Sequence, residues 1–392
     1  MSRIALRMLI GDRAKYLAII MGVAFASLLI TQQASIFIGL MTRTYGFVTD
    51  TSQPDVWVMD PKVQYIDDIK PVQDTMLLRV RGVEGVEWAT PLYKGLLKAR
   101  MSDGNFQTCN VIGLDDATLT GGPPVMLAGA LADLRRSEGV IVDEDGAKGR
   151  LAKLPLDAEG KPIAGAKPVP LEVGDTLELN DRRAVVVGIC RVSRTFQSQP
   201  VIYTTYNRAT QFAPRERKLL SFVLAGASAG MSPKQLCERI RAQTGLAAFT
   251  RDEFSWKTVM YFMKYTGIPI NFGIAVMLGF LVGTAIAGQT FYQFTLDNLR
   301  HFGTLKAMGA GNLLLLGMIL LQALVVGVVG YGIGVGAASL FGRLAGPTQL
   351  SFRLLWQTLV GTGIAVSVIC AIASLISVQR VMRLEPGVVF KQ

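Results

Sequence analysis

Four long stretches without Asp, Glu, Lys, Arg or His constrain this chain more than any other feature of its sequence. They cover residues 16–42, 266–296, 307–342 and 354–379. Each exceeds the roughly 20 residues that an apolar helix needs to cross a bilayer. The composition agrees, because charged residues make up 18% of the chain, against about a quarter in soluble domains. The sequence therefore predicts four transmembrane helices.

Basic residues in the short connecting segments predict the orientation of these spans, because Lys and Arg are enriched on the cytoplasmic side. Residues 1–15, the segment between the second and third spans and the C-terminal tail are rich in them, whereas the short opposite loop holds Arg343 and Arg353. We expect both termini in the cytoplasm. These topological residues account for most of the net charge of +11, which leaves no basic stripe of the kind that binds nucleic acid.

The chain accordingly divides into three parts. Residues 1–44 form an amphipathic cytoplasmic helix and the first transmembrane helix. Residues 45–265 form a large α+β domain outside the membrane, and residues 266–392 form the other three spans and a cytoplasmic tail. Residues 24–26 have the Ala-x-Ala form of a signal-peptide cleavage site. The apolar run continues well beyond the length of a signal peptide, so we favour an uncleaved anchor.

The large domain combines β-branched and aromatic stretches with turn residues and interspersed helices, which is typical of an α+β fold. We expect strands over residues 55–60, 76–81, 86–100, 106–114, 139–143, 171–179, 184–192, 201–205, 219–225 and 246–250. We expect helices over 125–136 and 232–244, and Pro233 occupies the first position of the second helix. The segment 154–170 is rich in Pro, Gly, Ala and Lys, and we interpret it as a mobile loop or insertion.

Residues 252–265, with the sequence DEFSWKTVMYFMKY, lie directly before the second span and combine aromatic with charged side chains. Two compatible interpretations remain open. The segment is a stalk helix that links the large domain to the membrane, or it is an aromatic anchor at the membrane interface.

A short polar segment, residues 297–311, separates the second span from the third. Apolar residues recur in it at every third position, which predicts a helix with one apolar face. These residues are Leu299, Phe302, Leu305 and Met308, and the basic residues on the remaining surface are Arg300, His301 and Lys306. Because both ends are tied to spans, we expect this helix to lie along the membrane surface and to pass movement between a soluble partner and the spans.

The third span is dense in glycine, and two pairs of its glycines have the GxxxG spacing. The glycines are Gly327, Gly330, Gly332, Gly334 and Gly336. Small residues allow helix backbones to approach closely. We expect this helix-packing face to contact another helix, in the same chain or in a second copy.

Several kinds of chemistry lack the residues that they need. The single histidine, His301, excludes a His-based metal cluster and a Ser-His-Asp triad, and no GxxxxGK[ST] sequence is present to hold nucleotide phosphates. We therefore expect no catalytic residue, metal or cofactor in this chain, and energy for any work must come from a partner. A disulfide between Cys109 and Cys190 is one alternative for the cysteines, and buried free thiols, Cys237 included, are the one that we favour.

Three stretches of sequence carry a family resemblance. LRHFGTLKAMGAGNLLLLGMILLQALVVGVVGYGIG resembles the cytoplasmic loop and third span of the FtsX/MacB-like ABC transporter permeases, and the closing LISVQRVMRLEPGVVFKQ resembles their Arg-rich exit from the last span. Near the N-terminus, IALRMLIGDRAKYLAIIMGVAFASLLITQQ and VTDTSQPDVWVMD are similar to the DevC-like branch. Many members carry Arg-Glu where this chain has His301 and Phe302, and an acidic residue where it has Gln322.

The resemblance implies a permease subunit of the bacterial inner membrane that forms a homodimer and works with a separate cytoplasmic ATPase, which binds ATP and Mg. It further implies export or efflux, a periplasmic adaptor (membrane fusion) protein, an outer-membrane channel and contact with membrane lipids. The implied ATPase-coupling residues are Leu299, Arg300, His301, Phe302, Gly303, Thr304, Leu305, Lys306, Ala307, Met308, Gly309 and Ala310. Arg300 and Lys306 are candidates for polar contacts with the ATPase, and the alternative is that they only mark the cytoplasmic side.

Two other functions remain open. FtsX-like proteins use the same motion to control an extracellular enzyme and transport nothing, and other relatives extract lipids or lipoproteins from the outer leaflet. The size of the large domain favours export. The sequence identifies neither a substrate nor a substrate-binding residue.

Overall fold

A computed structural model describes residues 2–101, 104–155, 157, 163, 166–214, 220–345 and 350–382. The chain divides into two compact units. Met1–Leu40 and Thr266–Gln392 form the first, which we call the span unit, and Met41–Tyr265 form the second, which we call the large domain. The expected C-terminal tail lies mainly outside the described residues.

Four helices of the described chain are long and apolar enough to cross a membrane. These are α2 (Arg13–Thr44), α9 (Ile268–Asp297), α11 (Asn312–Leu344) and α12 (Trp356–Met382). Two short helices, α1 (Ser2–Gly11) and α10 (Leu299–Ala307), precede α2 and α11. The core of the span unit is built by side chains from α2, α9, α11 and α12, among them Val23, Phe291, Val326 and Ile369.

The large domain contains ten strands among its described residues, arranged in one sheet. The strands are β1 (Val56–Met59), β2 (Val86–Arg100), β3 (Phe106–Leu114), β4 (Val125–Ala128), β5 (Gly139–Asp143), β6 (Thr176–Leu179), β7 (Arg182–Arg191), β8 (Val201–Thr205), β9 (Phe222–Ala227) and β10 (Ala247–Thr250). Their order is β10-β1-β9-β2-β3-β8-β5-β7-β4, and β6 pairs with β2 and β7. The helices are α3 (Gly46–Asp50), α4 (Thr75–Arg81), α5 (Glu144–Lys148), α6 (Tyr206–Phe212), α7 (Pro233–Thr244) and α8 (Arg251–Tyr265).

Both faces of this sheet are covered, which explains why its central strands are apolar almost throughout. Alternate residues of a strand point to opposite faces. In β1, Trp57 and Met59 enter one core with Phe254 of α8, whereas Val56 and Val58 enter another core with Leu236 of α7. A third core packs α6 against the other half of the sheet. The long strand β2 connects the halves, since its first part pairs with β9 and its second part with β3.

The helix predicted over 232–244 is confirmed as α7. The Ser232 side chain accepts a hydrogen bond from the backbone N–H of Gln235, which satisfies one of the N–H groups left unpaired at a helix start. Pro233 follows at the first helical position, and Gly245 ends the helix in the left-handed conformation with φ 75°.

The strand expected over 76–81 is wrong, because Thr75–Arg81 is helix α4. Met, Leu and Arg have high helix propensity. Met76 and Leu77 lie four and three residues before the buried Val80, and this helical spacing brings all three onto one core. The local sequence does not show the core on which these residues pack, and without that core they resemble a strand.

The helix expected over 125–136 is also wrong. Val125–Ala128 is strand β4, which pairs with β7, and Leu131–Arg135 is a short 3-10 helix. Gly129 has φ 71° and Val125–Ala128 gain ladder hydrogen bonds from β7 that a helix would forfeit. The expected strand over 171–179 is shorter than predicted, since Gly174 at φ 99° precedes it.

The expected loop over 154–170 lies largely outside the described residues. All four cysteines are described, and each is a buried free thiol. Cys109 and Cys190 belong to different cores of the sheet, so the alternative of a disulfide between them does not hold.

Candidate functional site

The polar segment between the second and third spans forms helix α10, whose C-terminal end is sharply defined. Gly309 has φ 93°, a conformation that glycine adopts without steric cost. Its N–H donates to the Lys306 carbonyl at 3.1 Å, and the Ala310 N–H donates to the Leu305 carbonyl at 3.0 Å. This pair of bonds is the Schellman arrangement, which ends a helix and turns the chain. The sequence MGAG therefore makes a fixed corner between α10 and α11.

The buried face of α10 belongs to a cluster that includes side chains from three other helices of the span unit. Phe302 is 1% exposed and Leu305 is 7% exposed. Both belong to a cluster with Ala5 of α1 and Val378 of α12. The α11 members of this cluster are Leu315, Met318 and Ile319. The cluster thus groups α10 with side chains of α1, α11 and α12.

The other face of α10 is open to solvent. Arg300, His301, Thr304 and Ala307 are exposed. Met308 was expected on the apolar face, but it lies beyond the last helical residue and is 75% exposed. Leu313, in the first turn of α11, is 83% exposed. This segment thus includes two uncovered apolar side chains and two exposed basic ones, and we call Arg300, His301, Met308 and Leu313 the corner surface.

The N-terminal helix α1 is held beside this corner by a buried hydrogen bond. The Gln322 side chain of α11 donates from Nε2 to the Ala5 carbonyl at 2.8 Å. Gln322 is 1% exposed and Ala5 is fully buried. Sequence reasoning identified Gln322 only as a departure from a family pattern. Its side chain bonds to the backbone of Ala5, which is distant in the sequence. No local sequence pattern indicates such a contact.

An ion pair joins the start of α2 to the end of α9. Lys15 contacts Asp297, and it also bonds to Asp12 at 3.0 Å. The hydrogen bond from the Lys15 side chain holds the pKa of the Asp12 carboxyl below its ordinary value. Sequence reasoning missed this pair, although Asp297 is an acid directly at the end of a span and Lys15 a base directly at the start of another.

The glycines of the third span fall into two groups. A side chain on Gly334 would meet the backbone of α2, with the Leu28 nitrogen at 2.8 Å, and one on Gly330 would meet Val23 at the same distance. Gly327 approaches Cys370 of α12. Gly332 and Gly336, on another side of the helix, have nothing within 4 Å of such a side chain. The structure thus uses one glycine face for close packing on α2 and leaves the other uncovered within the chain.

The described residues contain no group of three or more His, Cys, Asp or Glu side chains placed to hold a metal ion. The residues of the corner surface offer positive charge, hydrogen-bond donors and apolar area. They provide no arrangement of nucleophile and base.

Two family profiles match this chain. Residues 16–243 match the MacB-like periplasmic core domain, and residues 273–386 match the FtsX-like permease C-terminal. The first profile alone covers more than half of the chain, and the second contains α10 and the corner surface.

Two proteins named as ABC transporter permeases are similar to part of this chain. The uncharacterized ABC transporter permease Rv0072 of Mycobacterium tuberculosis is 26% identical over 234 residues, which are 58% of this chain and 61% of that protein. The uncharacterized ABC transporter permease Mb2592 of Mycobacterium bovis is 25% identical over 229 residues, with the same shares. The match thus spans about three fifths of the length of these relatives.

Two solved domains overlap the chain loosely. The periplasmic region of MacB from Actinobacillus actinomycetemcomitans gives 15% identity and a TM-score of 0.35, over 57% of this chain and 96% of that one. The extracellular domain of the noncanonic ABC-type transporter YknZ from Gram-positive bacteria gives 11% identity and a TM-score of 0.33, over 50% of this chain and 99% of that one.

The two profiles account for the architecture described above, with a large α+β domain inserted between the first and second of four spans. The chain is a membrane protein that belongs to the FtsX/MacB-like ABC transporter permeases.

Proposed function

We propose that this chain is the membrane-spanning subunit of an ABC exporter and that a separate ATPase docks on the corner surface. One observation carries the proposal. Helix α10 buries Phe302 and Leu305 in one cluster with side chains of α1, α11 and α12, while its opposite face is uncovered. A partner that pushes on the open face would therefore move three helices at once.

The connection between α10 and its spans favours transmission of movement. The Schellman bonds at Gly309 and Ala310 end α10 shortly before α11 begins, and the Lys15–Asp297 pair joins the end of α9 to the start of α2. Packed helices shift as units rather than bending continuously. Movement at the corner surface would thus reach all four spans.

The membrane orientation is part of the proposal. By the distribution of Lys and Arg, we place the corner surface and both termini in the cytoplasm of a bacterial cell and the large domain outside the inner membrane. The ATPase would bind ATP with Mg, since this chain has no phosphate-binding loop. Two copies of the chain would pair, and an adaptor protein with an outer-membrane channel would receive the exported substrate.

Purification with the ATPase tests the docking surface. The tagged chain is expressed with the ATPase encoded beside it and isolated in mild detergent. The double variant Met308→Asp with Leu313→Asp removes the exposed apolar area, and ATPase recovery should fall roughly 30-fold, as expected when central contacts worth about 2 kcal/mol are lost.

A matched variant carries the same substitutions elsewhere. Leu78 is 65% exposed and Val125 is 46% exposed, both in the large domain, and Leu78→Asp with Val125→Asp should leave ATPase recovery unchanged. Equal recovery with both double variants, each still folded by circular dichroism, would exclude the corner surface as the docking site.

A further inference from the structure

A cleft on the large domain gathers lysine and tyrosine side chains beside the last residues of helix α8. Its volume is about 670 Å³. The charged residues that line it are Lys62, Lys70, Lys257, Lys264 and Asp68, and two of its aromatic residues are Tyr261 and Tyr265. Positive charge therefore dominates the cleft.

Helix α8 supplies one wall because its two faces differ. Phe254, Thr258 and Phe262 recur at every fourth position and are buried. Lys257, Tyr261 and Lys264 follow the same helical spacing on another side, and that side lines the cleft. The lysines of α8 are thus held on a rigid element that the sheet core fixes in place.

The segment after β1 supplies the opposite wall. Tyr65 stacks on Tyr261 with ring centroids 4.3 Å apart, which joins the two walls. Lys70 bonds to Asp68 at 2.9 Å. Among the described residues, no carboxylate lies within 4 Å of the Lys62, Lys257 or Lys264 ammonium groups. Three lysines of the cleft are therefore available to an anion.

The environment of Lys257 disfavours its charged form, and a bound anion would offset this. Its ammonium group lies 4.4 Å from the centre of the Phe249 ring. Burial, and then the charge of Arg241, lowers the pKa of Lys257, and the charge of Asp68 offsets this only in part. A bound anion would stabilise the charged form of Lys257 by direct attraction.

The position of the cleft in the chain indicates where its anion comes from. Tyr265 precedes Ile268, the first residue of the second span, by three residues, and three residues of chain reach at most about 11 Å. Tyr and Lys next to a span are typical of the region of lipid head groups. Tyr265 is 71% exposed and is therefore open to that region.

We propose that this cleft binds the phosphate head group of an anionic membrane lipid. Lys257 and Lys264 contact the phosphate, Lys62 approaches it from the opposite wall, and the tyrosine rings cover the glycerol region. A lipid held there anchors the end of α8 at the membrane surface, independently of any ATPase at the corner surface.

Lipid binding by the full chain in a nonionic detergent tests the proposal. Phosphatidylglycerol is titrated, and the bound lipid is counted by native mass spectrometry. Each lysine near an anionic lipid contributes about a fivefold factor, so Lys257→Gln with Lys264→Gln should weaken one lipid-binding event roughly 30-fold. The matched variant Lys98→Gln with Lys234→Gln removes two exposed lysines of the large domain and should bind like the wild type.

A second measurement uses only the wild-type chain, so it does not depend on how the variants fold. Amine labelling is compared in nanodiscs of phosphatidylcholine with and without phosphatidylglycerol. Labelling of Lys257 and Lys264 should fall several-fold when phosphatidylglycerol is present, while Lys98 and Lys234 stay unchanged.

Three outcomes would overturn the proposal. The first is equal lipid binding by the two double variants. The second is equal labelling of Lys257 and Lys264 in both kinds of nanodisc. The third is protection of these lysines by glycerol phosphate as strong as by the lipid at the same ionic strength, which would assign the cleft to a soluble phosphate compound.

Discussion

Burial and hydrogen bonding have opposite effects on the pKa of the Asp143 carboxyl group. It is 6% exposed and accepts hydrogen bonds from the backbone N–H groups of Val201 at 2.6 Å and Gly146 at 2.9 Å. Burial raises its pKa to about 6, against an ordinary value of 3.8, although the two N–H groups lower it. The folded chain therefore binds this proton more tightly than the unfolded chain.

A pH-dependent stability follows from that pKa. The contribution of Asp143 to the free energy of unfolding is largest below about pH 4. It decreases as the pH rises to about 6, and it does not change further at higher pH. The free energy of unfolding of the wild type, relative to that of Asp143→Asn, should be on the order of 2 kcal/mol higher at pH 4 than at pH 7. Urea unfolding followed by the fluorescence of the four tryptophans measures it. An advantage of the wild type that grows with pH would show that the N–H groups outweigh burial.

Gln322 gives a second prediction for a single residue. Gln322→Glu keeps the shape of the side chain but places a carboxylate oxygen against the Ala5 carbonyl, where the amide now donates. Loss of a buried donor costs about 1–3 kcal/mol, so α1 should detach more often and trypsin should cleave after the exposed Arg7 several-fold faster. Gln357 is exposed at the start of α12, and Gln357→Glu serves as the control. Equal cleavage of the two variants would show that this bond does not hold α1.

A substitution in α11 should disturb its packing on α2 only when it alters the glycine face that contacts α2. Gly334→Leu has no room, because its side chain would meet the backbone of α2, whereas Gly336→Leu enters open space. Overpacking of this kind costs about 1–3 kcal/mol, so only the Gly334 variant should lower the melting temperature in detergent. If Gly336 instead contacts a second copy, Gly336→Leu should reduce the dimer fraction in light scattering and keep the melting temperature. A lower melting temperature for the Gly336 variant alone would contradict the observed packing.

Element types also show where sequence reasoning succeeds. The four spans are predictable because each is a long run of apolar residues. Helix α7 is predictable because Ser232 and Pro233 form a local helix-start signal. Residues 75–81 and 125–128 are short apolar segments whose state is decided by distant partners, namely the core under α7 and strand β7. Their secondary structure was therefore predicted wrongly.

The whole molecule combines a span unit and a large domain, and its family and architecture were predictable because the motifs and the order of spans are encoded locally. The position of α10 was predictable from its spacing of apolar residues. Its shared cluster with Ala5 and Val378 was not, because Ala5 lies 300 residues before Leu305, Val378 lies 73 residues after it, and only tertiary packing brings them together. The ion pair of Lys15 with Asp297 is hidden from sequence for the same reason.

Site-specific photocrosslinking in cells tests whether an ATPase docks on the corner surface. A photoreactive amino acid replaces Leu313, which is 83% exposed, or Leu78 of the large domain, which is 65% exposed. We expect the position 313 variant to crosslink to a protein with a phosphate-binding loop and the position 78 variant to give no such crosslink. Crosslinks from position 313 to lipid alone, or to the ATPase equally from both positions, would contradict this expectation.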